Sequence, residues 1–443
     1  MLLKKLYLFT IIFLLFFLGH SQGHFRILKE KKSVVVPFKL INNLIVISVE
    51  VNGKELPFLL DSGVDKTILF NLKLSDSLQI NNEEKIVLQG LGEGDPIHAI
   101  RSKNNVLRIK NIINPNQQIY VLLGEQFDLS AKMGIDINGI IGGDLFRNFI
   151  VKINYNSKRL VFYNPDTYKY KKCKKCISFP LEFYKRKPLI NVVIENHLKE
   201  KIDVKLLIDS GGGDALWLFE DSHPKISVPE KYFDDFLGKG LSGNIYGKRS
   251  LLEKLIIGDF VLENVSVSYP DSLSVVAALN NRERNGTLGA NILTRFHVIF
   301  DYPNKKISLR KNGSKFNDPF YYNKSGIEVI YGGEMLVKEK QSKLMSYNNT
   351  ESDTKSITRV IFSYSLAYKP SYQIALLRDD SPAKNAGLLA GDIFLRINGK
   401  TAYELKLQEI VHILSGDANK KITLLIDRGG KQLKYRFLLK DLL

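Results

Sequence analysis

Two copies of the tripeptide Asp-Ser-Gly, Asp61-Ser62-Gly63 and Asp209-Ser210-Gly211, are the residues best placed to do chemistry. Each follows an apolar run, Phe58-Leu59-Leu60 in one case and Leu206-Leu207-Ile208 in the other. One such tripeptide alone is an ordinary turn, because Asp, Ser and Gly all favour turns. The pair carries more information because its surroundings repeat with it. Ile140-Ile141-Gly142 follows the first copy and Thr287-Leu288-Gly289 follows the second, both about 80 positions downstream. The layout supplies one carboxylate per copy. Two carboxylates brought face to face can share one proton and activate a water.

The elements around the acids are read in parallel. Leu44 to Val51 alternates as a strand, Asn52-Gly53 is a two-residue hairpin turn, and a return strand ends at Asp61. Leu189 to Ile194 opens the second copy, a turn follows near Asn196, and Val204 to Ile208 runs into Asp209. After each Leu/Ile-Gly element come a helical turn, a strand, a turn and a last strand, ending at Phe162 and Leu309. Glycine-rich tips lie between acid and Leu/Ile-Gly element in both copies. They include Gly90, Leu91 and Gly92 in the first, and Gly240, Leu241, Ser242 and Gly243 in the second. Glycine permits tight turns and hinge motion there, which suits flaps over a substrate.

Composition narrows the classes. The chain has 443 residues, 44% of them hydrophobic, enough for several cores. Its net charge of +18 is spread along the chain and reads as solvated surface; no nucleic-acid partner is expected. Lys4 and Lys5 precede the apolar stretch Leu6 to Leu18, and Gly19-His20-Ser21 offers small residues for cleavage. The stretch is short for a bilayer span and suits a signal peptide over residues 1–21. The protein is expected to be exported, periplasmic or extracellular, touching a membrane only if that segment is retained. Cys173 and Cys176, the only cysteines, provide two ligands where structural zinc needs four, so a local disulfide is expected. The seven histidines are scattered, and neither GxSxG nor HExxH occurs. Neither metal nor cofactor is expected.

With these residues in view, the stretch from Val34 to Leu309 resembles the retropepsin-like, pepsin-type aspartic proteases. The resemblance rests on Leu59-Leu60-Asp61-Ser62-Gly63 with Ile140-Ile141-Gly142, and on Leu207-Ile208-Asp209-Ser210-Gly211 with Thr287-Leu288-Gly289. It implies two β-barrel-like lobes with Asp61 and Asp209 as catalytic acids at their interface. It further implies that Ser62 and Ser210 hydrogen-bond across the two loops, and that Gly63 and Gly211 allow close approach. The C-terminal part resembles a PDZ domain in Ser381-Pro382-Ala383, Ala386-Gly387-Leu388, Gly391-Asp392-Ile393 and Ile397-Asn398-Gly399. Ser325-Gly326-Ile327 resembles the carboxylate-binding loop in its bacterial, permuted arrangement. That likeness implies capture of a chain end by backbone N–H groups.

The expected fold is mainly β: two similar acid-protease lobes, residues 34–168 and 176–312, followed by a β-rich α+β PDZ domain over 320–443. The polar run from Lys338 to Thr358 reads as a flexible insertion. The expected activity is that of an aspartic endopeptidase, monomeric, acting on polypeptides; the PDZ domain either engages their C-termini or only docks on the lobes. The rival expectation is an exported peptide-binding scaffold on a protease fold, without turnover.

Overall fold

A computed structural model describes residues 23–28, 31–72, 78–124, 127–348 and 356–443. The targeting segment read from residues 1–21 lies outside the described residues. The protein is mainly β.

The first lobe starts from its hairpin. Leu44–Val51 and Lys54–Leu60 pair antiparallel, Val46 opposite Leu59 and Val51 opposite Lys54. Asn52 and Gly53 form the turn with positive φ, 47° and 89°. That left-handed conformation matches the right-handed twist of the two strands it joins, and Asn and Gly adopt it at low cost. The return strand then pairs in parallel with Gly139–Ile141, Phe58 opposite Gly139 and Leu60 opposite Ile141. This pairing carries the end of the hairpin to the Gly142 element.

The second lobe repeats the arrangement. Lys187–Glu195 and Lys201–Ile208 form the hairpin, and Lys201–Ile208 runs parallel to Gly286–Leu288, Leu206 opposite Gly286 and Ile208 opposite Leu288. In each lobe the short strand that begins with a glycine, Gly139–Ile141 or Gly286–Leu288, also pairs antiparallel with the strand that follows the acid, Thr67–Leu69 or Leu216–Leu218.

The lobes share a sheet. Ile150–Asn154 of the first pairs antiparallel with Phe296–Asp301 of the second, Val151 opposite Phe300 and Ile153 opposite Val298. Among the described residues this sheet has six strands, with Arg159–Tyr163 and Ser33–Pro37 on one side and Lys306–Lys311 and Ile177–Pro180 on the other. One apolar core runs beneath it through both lobes. Phe146 stacks on Tyr302 at 5.3 Å between ring centroids and meets Phe300 edge-on at 5.1 Å.

The C-terminal region has its own core, built from Ile327, Ile374, Phe394, Ile410 and Ile426 among others. A helix, Leu407–Leu414, packs into this core through Leu407, Ile410 and Leu414. The expectation of a loop over Lys338 to Thr358 is corrected where the chain is described. Ile327–Asn348 and Ser356–Leu377 form one long antiparallel ladder, with Lys338 opposite Leu366 and Ser346 opposite Thr358. Contacts between lysines and aromatic rings of the facing strand contribute to the pairing, Lys340 Nζ lying 3.6 Å from the Phe362 ring centroid.

Phe300 is fully buried in the shared sheet. Phe300→Ala is expected to lower the unfolding free energy by about 3–5 kcal/mol, measured by urea titration. A loss below about 1 kcal/mol would show that the shared sheet is not part of the main cooperative core.

Candidate active site

Each acid sits where its strand stops. The Asp61 N–H donates to the Ile141 carbonyl at 2.9 Å, and the Asp209 N–H donates to the Leu288 carbonyl at 2.9 Å. The two loops then exchange hydrogen bonds. The Ser62 hydroxyl donates to the Ile208 carbonyl at 2.8 Å and accepts the Ser210 N–H at 3.0 Å. The Ser210 hydroxyl donates to the Leu60 carbonyl at 2.9 Å and accepts the Ser62 N–H at 3.0 Å. Both serines are buried. A buried hydroxyl is costly unless satisfied, and here each one both donates and accepts.

The carboxyls meet above this exchange and hydrogen-bond one another. Asp61 Oδ1 accepts the Gly63 N–H at 2.7 Å. Asp209 Oδ1 accepts two, from Gly211 at 2.8 Å and Gly212 at 3.0 Å. A Cβ on Gly63 would stand 2.9 Å from the Asp209 carboxyl carbon, and one on Gly211 would stand 2.2 Å from that of Asp61. Glycine is what lets the acids approach so closely. Asp61 is buried, and Asp209 is half-buried. Burial first, then the Asp209 charge and its hydrogen bond, push the Asp61 carboxyl well above its ordinary value.

Three further groups near the acids have no signature in the sequence. Burial pushes the Lys187 ammonium down, as does Arg284, while Asp61, Asp65 and Asp209 oppose the change. Arg284 is buried and pushed down to about 10 by desolvation, with Asp209 opposing. Its guanidinium donates to the Gly286 carbonyl at 3.0 Å and to the Thr287 hydroxyl. The Tyr302 hydroxyl is buried with no hydrogen-bond partner among the described residues, and both acids raise its pKa after burial does. Lys187 and Tyr302 feel both acids and Arg284 feels Asp209, an approach that only the fold makes.

A second carboxylate follows each tripeptide. Asp65 accepts from Arg186 at 2.9 Å. Asp214 accepts from the Trp217 indole at 2.7 Å, from Ser268 at 3.2 Å and from Arg249 at 3.3 Å. Burial raises the Asp214 carboxyl, but Arg249 and Trp217 outweigh it and hold it below its ordinary value. Arg249 also donates to Asp235 at 2.9 Å. Asp235 in turn pairs with Arg378 of the C-terminal region at 3.6 Å. Trp217 thus supports the second loop by a hydrogen bond as well as by packing.

The glycine-rich tips of the two lobes meet each other. The Ser242 N–H donates to the Leu91 carbonyl at 2.8 Å, and Ser242 Oγ accepts the Gly90 N–H at 2.9 Å. Gly92, at φ +113°, donates its N–H to the Ser274 carbonyl at 2.9 Å. A Cβ there would lie 2.6 Å from the Gly243 backbone, and one on Gly240 would lie 2.2 Å from the Leu91 carbonyl oxygen. Leu91 packs against Phe219, Val275 and Ala278 of the second lobe, whereas Leu241 packs against the first lobe's cluster around Ile68 and Ile97. Each tip therefore rests on the opposite lobe.

The loop Ser325-Gly326-Ile327 lies at the start of the C-terminal ladder. Its N–H groups are already engaged: Asn323 Oδ1 accepts those of Ser325 and Gly326 at 3.0 and 3.1 Å, and Ser325 Oγ accepts that of Ile327 at 3.1 Å. An Asn side chain two residues upstream of Ser325 supplies the acceptor. The region also touches the first lobe through Lys132 and Glu328 at 3.3 Å. Cys173 and Cys176 are joined as a disulfide. No cluster of metal-ligating side chains occurs among the described residues.

Comparison with curated proteins gives no match. Among solved structures, the chain is similar to the crystal structure of an aspartic proteinase from Irpex lacteus, with 14% identity and a TM-score of 0.40, over 63% of this chain and 98% of that one. Residues 47–145 match the aspartyl protease family, and residues 373–428 match the PDZ domain family. On those two matches, the chain carries an aspartyl protease domain and a C-terminal PDZ domain.

Proposed function

We propose that the chain is an aspartic endopeptidase whose two acids activate a water against a peptide bond. The observation that carries this reading is the exchange of hydrogen bonds between Ser62 and Ser210, which holds the two carboxyls within hydrogen-bonding reach. Asp61, the more deeply buried, holds the shared proton. Asp209, which accepts two backbone N–H groups, is the base. A water between them gives a proton to Asp209 as its oxygen bonds to the scissile carbon. Asp61 gives its proton to the carbonyl oxygen. The C–N bond then breaks, Asp209 returns a proton to the departing nitrogen, and Asp61 recovers one from the tetrahedral hydroxyl. Leu91 and Leu241 close the site from above.

Export to the periplasm or the extracellular space is part of this proposal. It is supported by the Lys4 to Ser21 pattern and by a disulfide between the only two cysteines. The PDZ domain suggests peptide binding. A docking role is favoured by the occupied N–H groups of its loop and by its ion pairs with both lobes. Capture of a chain end then requires Asn323 to release that loop.

Asp61→Asn and Asp209→Asn are each expected to lower hydrolysis of an unfolded protein by at least about a thousandfold while the thermal melt stays cooperative. Binding of the same polypeptide without hydrolysis by the unsubstituted chain, from about pH 3 to about pH 8, would instead support the scaffold reading.

The raised Asp61 value has a consequence for stability. The folded state keeps a proton that the unfolded chain releases, so this contribution is complete below the ordinary value of 3.8 and is lost as pH rises through the folded value. Asp61→Asn cannot ionise. Its melting temperature is expected to exceed that of the unsubstituted chain above about pH 6 and to converge with it near about pH 3, measured by calorimetry across pH. Parallel pH profiles for the two proteins would refute the assignment of the proton to Asp61.

A further inference from the structure

We propose that the long C-terminal hairpin is a membrane-surface arm whose apolar side lies on an anionic lipid layer. Near its base the hairpin belongs to the PDZ sheet, through the pairing of Gln373 with Ile393. Beyond Glu334 and Pro370 the two strands continue to Asn348 and Ser356, and no third strand pairs with them among the described residues.

Register assigns the two sides. Residues directly opposite share a side, and sides alternate along each strand. Leu336, Leu344, Val360, Phe362, Leu366 and Tyr368 lie on one side with Tyr364. All seven are exposed, from 51% at Val360 to 71% at Leu344. The other side carries the Lys369 and Glu339 pair at 2.9 Å and the Gln341 to Ser365 hydrogen bond at 3.2 Å. The apolar side therefore faces outward, the reverse of a sheet that buries its hydrophobic residues in its own protein. An exposed apolar surface of this extent marks an interaction site.

Charge selects the occupant. The charged residues on the apolar side between Leu336 and Leu344 are Lys338 and Lys340, and none occurs there between Val360 and Tyr368. Their ammonium groups lie over the Tyr364 and Phe362 rings, at 4.3 and 3.6 Å. Cation and ring thus sit at one level, as they do where a protein meets lipid headgroups. A second copy laid on this side would bring lysines together with no acid to pair them. The chain's net charge of +18 adds long-range attraction to an anionic surface.

The test is flotation of the intact chain with phosphatidylcholine vesicles, with and without about one quarter phosphatidylserine. Binding is expected only with phosphatidylserine. Lys338→Gln with Lys340→Gln should weaken it by roughly tenfold or more, and Phe362→Ser with Leu366→Ser should reduce it to background. Tyr364→Trp provides a check independent of the folding of those variants: the introduced indole should be quenched by brominated lipid, while Trp217 in the second lobe should not be. Equal binding to both vesicle types, or fluorescence of the Tyr364→Trp variant that brominated lipid leaves unchanged, would overturn the proposal. So would a dimer or a protein complex lost in the Phe362 and Leu366 variant without any vesicle binding by the unsubstituted chain.

Discussion

The site depends on two hydroxyls that each lobe supplies to the other. Ser62 and Ser210 reach the carbonyls just before the opposite acids and accept the opposite serine N–H groups. Removing one hydroxyl leaves a buried carbonyl and a buried N–H unpaired at once, which costs more than the bond itself contributes. The exchange therefore sets the separation of the acids more firmly than either lobe alone. The shared six-stranded sheet brings the loops to the same place, and the serine exchange fixes their final approach.

The lobes are alike in topology but differ in charge. On the first side, Asp65 pairs with an exposed arginine from the second lobe. On the second side, Asp214 is held by an indole, a hydroxyl and a half-buried guanidinium. Asp209 accepts two loop N–H groups where Asp61 accepts one. A duplicated architecture thus surrounds two acids with different environments. That difference is the physical basis for assigning the shared proton to one of them.

Local or repeated features are legible in the sequence. The Asn52-Gly53 turn needs only two residues, and the two Asp-Ser-Gly loops stand out through matched offsets to Gly142 and Gly289. Lys187 and Arg284 are not legible, because the approach of Lys187 to both acids and of Arg284 to Asp209 is made by tertiary packing. The long hairpin reads as a loop because Lys338, Lys340 and Ser342 fill the same-side positions between Leu336 and Leu344, so that strand alone looks polar. Its pattern emerges only when Leu336 to Leu344 is set against Val360 to Tyr368. The occupied PDZ loop has a visible sign in Asn323, two positions before Ser325, whose short side chain folds back on the following backbone.

The crossed seating of Leu91 and Leu241 couples the two tips. Ser242 bonds to both Gly90 and Leu91, so neither hairpin can lift without releasing its counterpart. Under the proposed activity, admission is a joint event, and whatever enters must be slender enough to thread beneath both tips or flexible enough to wait for them to part. That proposal then favours an extended strand over a rigid, folded surface.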